Sequence, residues 1–291
     1  MATWRQNGLL LMSLGALVLS AMSALAKFAA SSLPSTQVVF YRSLFASIIL
    51  VAWHLELNLR GRSEGPLLGH RTNRLWLVLR GVFGATALLL FFYGLSGLAT
   101  ADAMLLNICS PIWILLLGSV LLHERILPNA LAMVPVTLLG AALIIRPDFA
   151  VVNWAGLAAF ASSILAALAH LCIRKVTRTE QAHVVVLYFA VTASVLSFPL
   201  MLDSYVSPDL WTWSALLGVG ILSVLFQILI TTAYRYGAAG KIAMAGYLGP
   251  VFAGVWDAIF WGHLPDWVTV VGAGLVVGSL LQLNRHRKPD R

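Results

Sequence analysis

Apolar residues in this chain come in long blocks rather than in alternation with polar ones. Ten blocks, at 8–28, 37–54, 75–94, 101–122, 128–145, 154–172, 183–201, 211–233, 242–261 and 267–283, approach or exceed the roughly 20 residues an α-helix needs to cross ~30 Å of hydrocarbon. Lipid offers the backbone no hydrogen-bond partner, so each block is expected to be a helix. The pattern predicts an all-α, polytopic membrane protein with ten transmembrane helices and connections too short for a soluble domain. The longest connection, 55–74, is basic and polar, and is expected to touch anionic headgroups without a fold of its own.

The fourth and ninth blocks share a midpoint. Ser110-Pro111-Ile112-Trp113 stands in one, and Gly249-Pro250-Val251-Phe252 stands 139 residues later in the other. A small residue, proline, aliphatic and aromatic in the same order mark an internal repeat. Ser23-Ala24-Leu25-Ala26-Lys27 is echoed by Ala166-Ala167-Leu168-Ala169-His170, and Val38-Val39-Phe40-Tyr41 by Val185-Val186-Leu187-Tyr188. The first echo also argues that block one is retained structure, although Arg5 and Ala24-Leu25-Ala26 imitate a signal peptide. Five crossings per half is an odd number, so the second half must start from the opposite face. The expectation is two inverted five-helix repeats, 1–149 and 150–291, the second ending in a basic tail; many secondary transporters are built this way.

Composition agrees: 60% of the 291 residues are hydrophobic and 10% charged, against roughly 25% charged in soluble domains. The net charge of +8 raises the question of a nucleic-acid partner, and the placement of the cations answers it. With the N-terminus in the cytoplasm, Arg60, Arg71, Arg74, Arg125, Arg174, Lys175, Arg235, Lys241 and the tail from Arg285 all fall on the cytoplasmic side. This positive-inside bias predicts a multi-pass protein of the inner (plasma) membrane with both termini cytoplasmic, and no nucleic acid as partner. Cys109 and Cys172 lie inside blocks and read as apolar fillers. There is no Walker sequence, and no metal or other cofactor is expected.

The candidate chemistry lies at mid-block. Pro111 and Pro250 each remove a backbone hydrogen bond and are expected to kink their helices, as in transporter binding sites. Eight of the ten tryptophans fall at block ends, as an aromatic belt requires, whereas Trp113 and Trp256 do not. With Asn107, Gln227 and Tyr247 they form the expected substrate-binding set; core filling by the indoles and pairing of Gln227 with another helix are the plain alternatives. Lys27, Arg42, Asp102 and Asp257 sit toward the outer ends and read as gating groups or a charge pair, Arg42 with Asp257 or Asp102. His170 reads as a satisfied structural histidine at the inner interface. Gly274-x-x-x-Gly278 allows close helix approach and a homodimer through the tenth helix. Gly94-Leu95-Ser96-Gly97, in a predicted outer turn, matches the G-x-S-G of rhomboid-type intramembrane serine proteases, which keeps an enzyme as a competing reading.

Ten blocks, the inverted halves, the stretch from Thr100 to Arg125 ending in His123-Glu124-Arg125, and the Gly140 to Ile145 run resemble the drug/metabolite transporter superfamily, in its EamA branch. In the second half His263 stands where that motif has glutamate. The resemblance implies a bundle in which spans one, three, four, six, eight and nine enclose a cavity and five and ten are peripheral. It implies transport of amino acids, nucleotide sugars, drugs or other small metabolites. The resulting expectation is no enzyme but a secondary transporter of a small polar metabolite, an amino acid or organic anion, exporting by alternating access; an uptake carrier is the alternative within the family.

Overall fold

The computed structural model describes residues 7–30, 33–61, 65–98, 100–124, 128–145, 154–261 and 266–285. Regular structure among them is helical throughout. The long rods are α1 (Gly8–Ala30), α2 (Ser35–Leu59), α3 (Arg74–Gly97), α6 (Pro128–Ile145), α7 (Trp154–Val176), α8 (Ala182–Leu202), α9 (Leu210–Arg235) and α12 (Trp267–Arg285). Two of the expected spans are each divided, one into α4 (Thr100–Asn107) and α5 (Ser110–Leu121), the other into α10 (Ala239–Met244), a 3₁₀ turn at Ala245–Tyr247, and α11 (Leu248–Trp261). Seven stretches are long and apolar enough to cross a membrane; Ser110–Leu121, Leu131–Ile145 and Trp267–Gln282 are apolar but shorter. The chain is therefore a polytopic membrane protein.

The side-chain contacts give each helix pair a direction. Gly94 meets Ala159 while Lys175 lies over Trp76, so α3 and α7 run antiparallel. Gly8 meets Ala233 and Gly218 meets Leu25, so α1 and α9 are antiparallel too. Phe40 against Phe198 and His54 against His183 make α2 and α8 antiparallel. Parallel pairs join these: α2 beside α9, through Tyr41 with Trp213 and Phe45 with Gly220, and α5 beside α7. The helices α6 and α12 pack mainly on each other at the margin.

Small residues set the closest crossings. A methyl added at Gly140 would stand 2.7 Å from Gly272 O, and one at Gly272 would stand 2.7 Å from Gly140 O, so the two backbones nearly touch. Thr137 and Ser279 share a 2.8 Å buried hydrogen bond beside them. In lipid, where apolar contact alone does not favour association, such close packing and interhelical hydrogen bonds hold helices together. Gly94 and Gly97 serve α3 in the same way against Ala159 and Ala155, and α3 runs on through Gly97, so the expected turn at 94–97 is helix. Outward-facing Ile48, Val195 and Ile259 are exposed, as lipid contact requires.

The connection at 55–74 departs from expectation. The helix α2 continues to Leu59, Arg71–Asn73 forms a 3₁₀ turn, and the buried Glu180 carboxylate ties the segment down. Glu180 Oε1 accepts from His70 N (2.9 Å) and Asn73 Nδ2 (2.7 Å), with His70 Nδ1 at 3.1 Å. A buried carboxylate must find donors, and this one finds them 107 to 110 residues away in sequence.

Candidate functional site

Pro111 has no N–H and its ring excludes the preceding helical turn. The chain accordingly leaves α-geometry at Ile108 and Cys109, and Pro111 enters α5 in its first turn. The expected bend is thus a break between two helices. Near Pro250 the interruption lies earlier, at the Ala245–Tyr247 turn, and the proline sits in the first turn of α11. Pro135 and Pro199 lie inside α6 and α8, where the sequence reading expected nothing of them.

The two off-belt tryptophans each bond a serine on a neighbouring helix. Trp113 Nε1 donates to Ser163 Oγ on α7 (3.1 Å), and Trp256 Nε1 donates to Ser20 Oγ on α1 (2.9 Å). Each serine in turn donates to the carbonyl three residues back, Ser163 to Phe160 and Ser20 to Leu17. Trp113 and Trp256 lie 143 residues apart, and so do Ser163 and Ser20. A ring lies against each indole: Phe160 edge-on to Trp113, centroids 5.7 Å apart, and Phe260 stacked on Trp256 at 5.7 Å. Beside the first pair, Asn107 Nδ2 donates to Ser162 Oγ (3.0 Å). Trp113 and Asn107 are only partly buried, so their faces adjoin accessible space.

Gln227 is hydrogen-bonded to Arg80 and not to an indole. It accepts from Arg80 Nη2 (3.0 Å), joining α9 to α3. Arg80 is 3% exposed, its guanidinium lies 4.5 Å above the Phe189 ring, and its Nε has no partner. Gly84, one turn on, is where Arg80 Nη1 lies close, since any Cβ there would collide with it. His170 stacks on Tyr234 at 5.3 Å, and both are within electrostatic reach of Arg80. His170 Nδ1, Thr231 Oγ1 and Tyr234 Oη are all buried without a hydrogen-bond partner. The expectation of a satisfied histidine fails, because His170 Nδ1 is buried and unbonded on a side chain that is only partly covered. In the sequence Arg80 stands inside the third apolar block, at 75–94. Its rarity there was the available signal, because a charge at that depth is costly and faces protein or water.

The other expected residues fall elsewhere. Tyr247 is fully buried in an apolar cluster with Leu115 and Met244, its hydroxyl unpartnered. Arg42 Nε is buried without a partner. The side chains of Lys27, Asp102 and Asp257, and all of His263, lie outside the described residues. Ser96 Oγ donates to Tyr93 O within α3, and no histidine is bonded to it. Among the described residues no three His, Cys, Asp or Glu side chains are grouped to hold a metal.

One end of the bundle, the basic end, carries Arg174 and is fastened. His123 takes a positive φ of 54° after α5 and turns the chain so that Glu124 faces inward. Glu124 Oε1 then accepts from Arg174 Nε (2.7 Å), and Oε2 accepts from the backbone N–H of Ala239 at the start of α10 (2.8 Å). Arg174 Nη1 donates to Tyr234 O (2.8 Å). The Glu124 carboxylate therefore draws α5, α7 and α10 together, and Arg174 adds α9. The buried rings of His54 and His183 meet nearby on α2 and α8, nitrogen to nitrogen at 2.9 Å.

Known proteins were compared with this chain. A chain in a solved crystal structure shares the fold with a TM-score of 0.82 at 20% identity, over 97% of this chain and 99% of that one. The pseudopaline exporter CntI of Pseudomonas aeruginosa is 32% identical over 97% of this chain and 98% of its own length. Human solute carrier family 35 member G1 is 26% identical over 84% of this chain and 70% of its own. The profile of the EamA-like transporter family matches residues 6–146 and again 153–285. A helical membrane bundle and two family matches in tandem lead to one assignment: the chain belongs to the EamA-like transporter family.

Proposed function

We propose that the protein is a secondary transporter that exports a small polar metabolite, an amino acid or organic anion, by alternating access between two inverted five-span halves, 1–149 and 150–291. The observation that carries this reading is the pair of indole–serine bonds, because a repeat inverted in the membrane sets equivalent contacts on the two sides of a shared path. The helix pairs support it. Exchanging the halves turns the antiparallel contact of α3 with α7 into that of α9 with α1, and leaves α2 with α8 and α6 with α12 in place.

In this reading Trp113 and Trp256 flank the cargo, Asn107 bonds to it, and Gln227 marks a deeper polar station; Tyr247 supports the wall from behind. The breaks near Pro111 and Pro250 give each half a joint. The basic end is cytoplasmic, both termini lie on that side of the inner membrane, and the Glu124–Arg174 fastening is the closed inner gate. At α11 a methyl on Gly249 or Gly254 would meet nothing within 4 Å, which suits an opposite end that is looser. The exporter of 32% identity supports the outward direction. Lys27, Arg42, Asp102 and Asp257 are the outer gating groups in this scheme.

The test is flux. Purified protein in liposomes is loaded with labelled amino acids and organic acids, and efflux is followed with and without a proton gradient. Efflux that falls about tenfold or more in Trp113→Ala and in Trp256→Ala is expected. Absence of flux for every compound, or both variants moving cargo as the wild type does, overturns the proposal. Faster inward than outward flux would make it an uptake carrier.

A further inference from the structure

The unexplained feature is Arg80. A guanidinium 3% exposed, inside a membrane bundle, is expected to have a carboxylate beside it, since an unpaired buried charge is strongly destabilising. The ion pairs among the described residues are Arg60 with Glu56, His70 with Glu180 and Arg174 with Glu124, and none includes Arg80. Its neighbours among the described residues are neutral: the Gln227 amide, the Phe189 ring, Tyr234, Cys172 and His170. Arg80 lies six residues from the start of α3, about 9 Å into the bundle from the basic end.

The donors left over converge. Arg80 Nε and Tyr234 Oη are buried and unbonded, and so is Thr231 Oγ1, one turn beyond Gln227 on the same face of α9. His170 Nδ1 is a fourth such atom, against the Tyr234 ring. A positive charge and neutral hydroxyls around it form the complement of a carboxylate, which accepts at two oxygens and matches the guanidinium edge.

We infer that Arg80, with Gln227, Thr231 and Tyr234, forms the station that binds a carboxylate of the cargo, so that the cargo class is carboxylate-bearing metabolites and excludes compounds that carry only positive charge. This rests on the transport reading above and adds the chemistry of the ligand to it. The station also touches the inner gate, because Arg174 holds Tyr234 by its carbonyl while the Tyr234 ring lines the station. Cargo arriving from the basic end reaches Arg80 once the Glu124–Arg174 contact opens.

The experiment measures binding apart from flux. Melting of the purified full chain is followed against succinate, glutamate and citrate, against succinamide as the uncharged counterpart, and against inorganic phosphate. At least one carboxylate is expected to raise the melting temperature where succinamide does not, and Arg80→Gln is expected to weaken its apparent Kd by about tenfold or more. Arg80→Lys should restore part of the shift, and Gly84→Ala, which displaces the guanidinium without removing its charge, should weaken it. Should Arg80→Gln not fold, a chain that keeps Arg80 and carries only Cys109→Ser supplies a second reading. Alkylation of Cys172 beside Arg80 should be faster with an anionic thiol reagent than with a neutral one of equal size, and carboxylates should slow it. No shift from any carboxylate, equal shifts from succinamide, a shift from phosphate in their place, or an unchanged shift in Arg80→Gln overturns the inference. Flux of an uncharged compound that ignores Arg80→Gln leaves the transporter standing and removes the carboxylate station alone.

Discussion

Ser163 Oγ and Ser20 Oγ each accept from an indole and donate to a carbonyl, so the hydroxyl is used twice at both places. Removing the indole donor strands little, because the serine keeps its carbonyl bond. Trp113→Phe and Trp256→Phe should therefore each cost about 1 kcal/mol, measurable as similar falls in melting temperature. Glu124 is different, since it serves a guanidinium and a helix N-terminus at once. A double-mutant cycle of Glu124→Gln with Arg174→Gln should give a coupling of about 1 kcal/mol, the partial exposure of both groups holding it to that size. Asp209 caps α9 by accepting from Thr212 N–H (2.8 Å), and hydrogen bonds from the Thr212 side chain and then its backbone hold the carboxyl below the usual aspartate range. A lowered folded-state value means that the cap stabilises above the ordinary value of 3.8 and that this is lost as pH falls through the folded value. The melting difference between wild type and Asp209→Asn should accordingly shrink as pH is brought below 3.8.

Among the elements, the crossing of α6 with α12 is the least tolerant. A methyl at Gly140 or Gly272 would face a backbone carbonyl at 2.7 Å, which cannot swing aside as a side chain does. Gly140→Ala and Gly272→Ala should each destabilise by about 1–3 kcal/mol through helix separation, read by thermal unfolding in detergent. Gly274→Ala and Gly278→Ala serve as controls within the same helix, because nothing lies within 4 Å of either. Positions of the helices were legible in the hydropathy, and so was disturbance near Pro111. The place of the break near Pro250, and the unbroken course of α3 through Gly94 and Gly97, were not. A proline only forbids certain geometries, and glycine only permits close approach; neighbouring helices decide which use is made of each.

For the whole molecule, one expectation spans every part: the two termini share a face, and the ends of α1 and α6 share the other. Single cysteines placed near Asn7 and Gln282 should label from the same side of an oriented vesicle, and cysteines near Ser35 and Asp209 from the opposite side. Labelling of the two ends from different sides would break the inverted arrangement and the gate assignment with it. Of the expected site, Asn107, Trp113 and Trp256 stand in comparable bonded settings, whereas Gln227 belongs to Arg80 and Tyr247 to the apolar wall. The sequence offered Arg80 as one cation among nineteen Lys and Arg, and its depth was its only distinction.

What this sequence determines by itself is set by solvent and length. Long apolar blocks must become helices in lipid, their number and flanking cations constrain how the chain threads the bilayer, and the repeated proline segments follow from order along the chain. What only the tertiary structure decided is which polar atoms meet. Arg80 finds Gln227 across 147 residues, and Glu180 finds His70 across 110. Those meetings depend on the rotation and depth of each helix against its neighbours, which are settled by side-chain packing and close glycine contacts that hydropathy does not encode.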